Sequence, residues 1–428
     1  MNLYSGNVLV YHSDPGTDID PDAFSYFPDG VLITNEDRVV FAGSKEEAPN
    51  VSITAHTDYS GCLILAGFID THIHYPQIGM IASYGEQLLE WLQKYAFPEE
   101  KKYENREYAS KMAKEFIKEL FRNGTTTALV FSTVHPQSAH ALFSEAQKYG
   151  MCLITGKTLM DRNAPDYLCD TPERAYHESK ELIEQWHGKG RLKYAVTPRF
   201  AITSSKEQLQ VAGKLLEEYP DIYMQTHLSE NLKEIETVKH LFPENKGYLD
   251  VYDANGLAGS KSIFAHCVHL TDEEFKVMKE RDSAIAFCPC SNLFLGSGLV
   301  DLDKIRAHDI KTGIGTDVGG GNSFSVLLNL NEAYKVAQLN NQPLNPVQAF
   351  YYATLGGARA LSIHHEAGTL KEGYYADFMV LDPKATPLMK LRMERAETLI
   401  DLLFILMMMG DSRCVKATYV AGECVFSA

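Results

Sequence analysis

Leu63-Ile64-Leu65-Ala66-Gly67-Phe68-Ile69-Asp70-Thr71-His72-Ile73-His74-Tyr75-Pro76-Gln77 falls into two halves. The first is almost wholly apolar, the composition of a parallel strand covered on both faces. The second carries two histidines two residues apart. On a strand, residues i and i+2 point to the same side, so His72 and His74 present their imidazoles together. Neutral imidazole is the commonest metal ligand, and packing alone does not explain a polar pair at the end of a buried strand. The run predicts the first strand of a parallel sheet, with part of a metal site at its carboxyl end.

Outward from this stretch, the middle of the chain alternates between two kinds of segment. Strand candidates begin near Leu63, Thr126, Cys152, Tyr194, Ile222, Ile263, Ala284 and Thr312, and amphipathic stretches such as 106–123 and 206–219 separate them. Eight such units predict an α/β fold of the (β/α)8 TIM-barrel type. Both chain ends are β-rich, at 3–11, 30–42, 375–381 and 415–425, with Ala421-Gly422 as a turn. Isolated hairpins are marginal, so the two ends are expected to pair into a small β-sandwich domain. The expected division is 1–65 for the first part of that domain, 66–371 for the barrel, and 372–428 for the second part with an adjoining helix. The segment 78–107 is longer than a usual βα loop and is expected to cover the barrel mouth as a lid.

A chain of 428 residues fits one large barrel with an appended domain. Its net charge of -16 argues against nucleic acid and anionic membrane as partners. Its eight cysteines are scattered rather than framed for disulfides, which favours a reducing compartment. Residues 1–12 lack the basic start and apolar core of a signal peptide, so a cytoplasmic location is expected. The apolar run 399–409 is broken by Asp401 and too short to span a bilayer, so it reads as a buried helix. Cys288-Pro289-Cys290 has no second pair to complete a metal site, and Cys267 and Cys288 read as packing residues.

Four further polar residues fall at or just past strand ends. His227 closes 222–227, His266 closes 262–266, Asp317 closes 312–317, and Glu230 lies three residues beyond His227. At roughly 30–40 residues per βα unit, their spacing puts His72 and His74 on barrel strand 1, His227 on strand 5, His266 on strand 6 and Asp317 on strand 8. The carboxyl ends of barrel strands carry the active site. A lone strand-end histidine is usually a hydrogen-bonded core residue, and Glu230 alone reads as a first-turn carboxylate favoured by the helix dipole. Together the set says more. Three imidazoles and a carboxylate suit Zn²⁺ or Fe²⁺ with a position left for water, whose pKa the metal would lower.

This pattern resembles the amidohydrolase superfamily. Binuclear members of that superfamily carry a carboxylated lysine on strand 4. Here the segment 194–200 ends in Arg199-Phe200 and Lys193 precedes it, so one metal per chain is expected. A longer series is similar to the guanine-deaminating members. It comprises His74-Tyr75-Pro76-Gln77, Leu88-Leu89-Glu90-Trp91-Leu92, Met160-Asp161-Arg162-Asn163, Pro198-Arg199-Phe200, Thr226-His227-Leu228-Ser229-Glu230 and Gly315-Thr316-Asp317-Val318-Gly319-Gly320.

The resemblance implies zinc on His72, His74, His227 and Asp317, with iron as the alternative. It implies that Glu230 moves protons, Asp317 accepts one from water, and His266 supports that water. It further implies substrate contacts from His74, Gln77, Trp91, Arg199, Phe200, His227, Glu230 and Asp317, a homodimer, and hydrolysis of guanine to xanthine and ammonia. The rival readings are aminohydrolases of another purine, cytosine or a triazine, and a non-catalytic scaffold on the same fold. Gln77 and the Arg199-Phe200 pair favour a guanine edge over the rivals, and the complete ligand set speaks against the scaffold.

Overall fold

Gly67 divides the opening stretch. In the computed structural model, which describes residues 1–84 and 88–428, the apolar half ends the strand Ala55–Ala66 and the histidine half forms a separate strand, Phe68–His74. The expectation of one strand from Leu63 is thereby corrected. A Cβ at position 67 would lie 2.2 Å from Thr126 Oγ1. Only glycine passes that side chain, and there the chain leaves one sheet for the other.

Eight parallel strands form the barrel: β1 (Phe68–His74), β2 (Thr125–Phe131), β3 (Cys152–Gly156), β4 (Leu192–Pro198), β5 (Tyr223–Leu228), β6 (Ser262–His266), β7 (Ala284–Phe287) and β8 (Lys311–Ile314). Each pairs with the next in chain order. Helices separate the strands. Arg106–Arg122 is capped by Asn105 and Lys206–Glu218 by Ser205, each accepting from a backbone N–H of the first turn.

The seam between β8 and β1 has no regular ladder. The chain just past β8 closes it instead. Asp317 N–H donates to the His72 carbonyl at 2.9 Å, and His74 N–H donates to the Val318 carbonyl at 2.8 Å. Buried Asp70 accepts from Thr316 N–H at 3.1 Å, Thr316 Oγ1 at 2.5 Å and His72 N–H at 3.2 Å. Burial pushes the Asp70 carboxyl up to about 7, although these hydrogen bonds favour its charge.

The two chain ends form one seven-stranded mixed sheet, in the order Glu423–Ser427, Val415–Val420, Phe378–Leu381, Ala55–Ala66, Asn2–Tyr11, Phe24–Asn35, Arg38–Gly43. The segment 30–42, read as one strand, is split by a turn where Glu36 takes φ 50°. Ala421-Gly422 is the hairpin turn expected, both residues having positive φ. A buried Arg191–Asp377 pair ties this sheet to the barrel just ahead of β4, with Nη1 to Oδ1 at 2.9 Å. The run 399–409 forms a helix, Leu399–Met409, that buries Leu403 and Leu406 and exposes Ile400. Among the described residues no helix is long and apolar enough to cross a membrane.

Of the segment 78–107, Leu88, Trp91 and Leu92 line the cavity at the barrel mouth. The segment contains the helices Leu88–Trp91 and Phe97–Lys101, with a π-helical turn, Leu92–Ala96, between them. Of the lid read from the sequence, residues 85–87 lie outside the described residues.

Candidate metal centre and substrate cavity

Two strand ends and the segment past β8 deliver the four sequence-predicted ligands to one point. His72 and His74 come from β1, His227 from β5, and Asp317 from the segment that closes the seam. Their ligand atoms all lie within 4.8 Å of one another. Asp317 Oδ1 is 3.2 Å from His72 Nε2 and 3.3 Å from His74 Nε2, and His74 Nε2 is 3.1 Å from His227 Nε2. His72, His74 and Asp317 are buried; His227 is partly buried and lines the cavity beside them.

The protonation states suit a cation. His227 Nδ1 lies 2.7 Å from the Arg199 carbonyl, which can only accept. Nδ1 therefore carries the hydrogen, and Nε2 keeps its lone pair toward the cluster. His72 Nε2 is buried without a hydrogen-bond partner among the described residues. Burial lowers the pKa of His72, and lowers those of His74 and His227 well below the ordinary imidazole value. Burial pushes the Asp317 carboxyl the other way, but His72 beside its Oδ1 and the other surrounding imidazoles bring it down to about 2. Three neutral imidazoles and a carboxylate, converging without a proton to share, form a divalent-cation site.

Two more predicted residues meet this cluster. His266 Nε2 is 3.5 Å from Glu230 Oε2 and 3.8 Å from Asp317 Oδ2, and its Nδ1 is 2.8 Å from Asn292 Oδ1. Burial opposes the His266 imidazolium, but the Glu230 and Asp317 carboxylates prevail and raise its pKa. Burial raises the pKa of Glu230. Glu230 Oε1 accepts from Ser297 Oγ at 2.9 Å, which leaves Oε2 toward His266. Ser229, His266, Cys267 and Asp317 all take positive φ. Non-glycine residues adopt that conformation at a cost of about 1–3 kcal/mol each, typically where a site requires it.

Beside the cluster is a cavity lined by His74, Gln77, Leu88, Trp91, Leu92, Arg199, Phe200, His227, Glu230, His266, Leu295, Asp317 and Gly320. Every substrate contact expected from the sequence is in this lining. Apolar walls with a few polar groups are the usual form of a small-molecule site. The buried Trp91 Nε1 has no hydrogen-bond partner among the described residues.

The sequence reading missed the supporting residues Glu100, Ser297, Asn292 and Glu234. Glu100 is fully buried and pairs with Arg199 and Gln77. Glu234 accepts from the backbone N–H of Glu230 at 2.8 Å and of Asn231 at 3.0 Å. Its place three residues after Asn231 is a capping-box signal that could have been found. Cys288 packs within reach of His72 and His266, but burial keeps its thiol well above the ordinary range and so protonated, in agreement with a packing role.

Fold and site together define a metal-dependent barrel hydrolase, and the chain belongs to the amidohydrolase family, whose model matches residues 63–425. The guanine deaminase of Escherichia coli K12 is 53% identical over 406 residues, covering 94% of this chain and 92% of that protein. The solved structure of the E. coli enzyme superposes with a TM-score of 0.96 at 50% identity, over the whole of both chains. A guanine deaminase from C. acetobutylicum, solved with guanine in its active site, superposes at 0.89 with 30% identity, over 99% of this chain and 100% of that one. Within the family, the chain is similar to these guanine deaminases over almost its whole length.

Proposed function

We propose that the protein hydrolyses guanine to xanthine and ammonia in this cavity, with one zinc ion per chain on His72, His74, His227 and Asp317. The observation that carries the reading is the shared lining. An apolar slot of Trp91, Phe200, Leu88 and Leu92 also presents the Arg199 guanidinium, the Gln77 amide and the ligand cluster. Guanine is neutral and planar, with a carbonyl acceptor at O6 and the departing amine on an amidine-like C2. Arg199 donates to O6, and Gln77 reads a second part of the purine edge. Phe200 and Trp91 offer ring faces to the base.

When bound, the ion supplies Lewis acidity that lowers the pKa of a water toward neutrality. Asp317 turns Oδ1 to the histidines and keeps Oδ2 for the proton of the attacking water. Glu230, protonated to higher pH by its burial, gives a proton to N3 through Oε2 and then helps deliver one to the amine. Ser297 holds the other oxygen of Glu230 in place. His266, steadied by Asn292, supports the water from Nε2. The covering segment excludes bulk water from the slot.

The same reading includes a cytoplasmic homodimer, and domain limits at 65 and 371. Sedimentation of the purified chain tests the dimer. Ammonia release over guanine, adenine and cytosine, with metal analysis of the same sample, tests the function. Guanine-dependent release with one equivalent of zinc is expected. No release from guanine in a metal-loaded sample overturns the reading.

A further inference from the structure

Glu100 takes no part in the steps above, yet it is fully buried against the two groups assigned to read the base. Both of its oxygens accept from Arg199 Nη1 at 2.8 Å. Oε1 also accepts from Gln77 Nε2 at 3.1 Å, while Gln77 Oε1 accepts from Gly319 N–H at 3.2 Å. A carboxylate only accepts. The end of the Gln77 amide beside Glu100 must therefore be the nitrogen, and the end beside Gly319 the oxygen. One buried acceptor thus fixes which way the amide is turned and where the guanidinium sits. The Phe97 ring adds a face to the same guanidinium, 5.3 Å from its centroid.

The donors and the acceptor come from different parts of the chain. Gln77 follows β1 and Arg199 follows β4, whereas Glu100 and Phe97 belong to Phe97–Lys101 in the covering segment. We propose that Glu100 is a specificity-positioning residue. It holds Arg199 and Gln77 in the donor arrangement that selects a 6-oxopurine, and it ties that arrangement to the docked cover. The inference rests on the reading of Arg199 at O6. A neutral amide at position 100 cannot substitute, because its own NH₂ would face a donor of Arg199 or Gln77.

The test is E100Q, assayed with guanine and with 2-aminopurine, which keeps the C2 amine and has hydrogen in place of O6. R199A is assayed beside it. In E100Q, kcat/KM for guanine is expected to fall about 10- to 100-fold, chiefly through KM, with 2-aminopurine changed by less than about 3-fold. Metal content stays at the wild-type level. The ratio of the two substrates does not depend on how much of the sample is folded.

A collapsed ratio in both variants supports the proposal. A ratio that collapses in R199A but not in E100Q overturns it, as does an equal loss on both substrates with loss of metal. A ratio unmoved by R199A refutes the O6 reading itself, and the inference falls with it. Should E100Q not be recovered in soluble form, E100D keeps the charge and retracts it by one methylene. A ratio lowered about 3-fold or more in E100D then supports the proposal, and a wild-type ratio overturns it.

Discussion

Glu230 and Arg199 are the residues whose replacement separates the proposed steps. Glu230→Gln is nearly isosteric and touches none of the four ligands, so the metal should stay. Turnover should fall about 10²–10⁴-fold, the usual contribution of a general acid–base group. Normal kcat at saturating guanine would exclude the shuttle. Burial raises the Glu230 pKa, so the proton it donates is present below that raised value and lost above it. The wild-type rate should therefore decline on the alkaline side, and a pH profile of the residual Glu230→Gln rate should lack that limb. Adenine sets an amino donor against the Arg199 guanidinium. A site built to accept one hydrogen-bond pattern rejects its mismatch by about 10⁴-fold or more, and comparable specificity constants for guanine and adenine would move the function to a broader aminohydrolase. The ligands were legible because histidine and aspartate at strand ends violate the expectation for buried strands. Glu100 was not. In sequence it stands beside Glu99 in a polar helix turn, and nothing local distinguishes a carboxylate pointed at Arg199 from one pointed at water.

At the scale of elements, the strand count and helix positions follow directly from alternation of apolar runs with amphipathic ones. The error at Leu63 has a physical cause. Apolar residues 63–66 and 68–69 are all buried, but in two different sheets, and burial alone does not reveal the sheet. The signal that divides them is a glycine whose meaning depends on Thr126, a residue 59 positions away. Gly67→Ala should accordingly cost about 1–3 kcal/mol through overpacking, read as a lower denaturant midpoint at unchanged slope. An unaltered midpoint would show that Thr126 gives way freely. The seam between β8 and β1 offers a second test. A carboxyl raised to about 7 when folded binds more protons than the unfolded chain between about pH 4 and 7. Its contribution to stability is therefore present at the acid end of that window and lost as pH rises through it. Metal-free Asp70→Asn should lose this component of the pH dependence, measured as the difference in thermal midpoint from metal-free wild type. Parallel profiles would refute it.

For the whole molecule, the ligand cluster joins β1, β5 and the segment past β8, so an ion bound there links the two sides of the barrel seam. Ligands that bind only the folded state stabilise it by mass action. Chelation should lower the melting temperature, and one equivalent of Zn²⁺ per chain should restore it together with activity; a requirement for two would contradict the single-metal reading. The seven-stranded sheet has a consequence for biosynthesis. Ala55–Ala66 lies between Asn2–Tyr11 and Phe378–Leu381. At about 5–20 residues per second, the ribosome finishes the first two of these strands tens of seconds before the third emerges. Throughout that interval Leu63-Ile64-Leu65-Ala66 lacks its partner strand and presents an open edge, the kind that recruits other chains. The nascent protein is thus most prone to aggregate after its barrel has begun to form and before residues 378–381 arrive, and a ribosome stalled in that window would release a sticky fragment that holds β1 but lacks the strand that shields its neighbour.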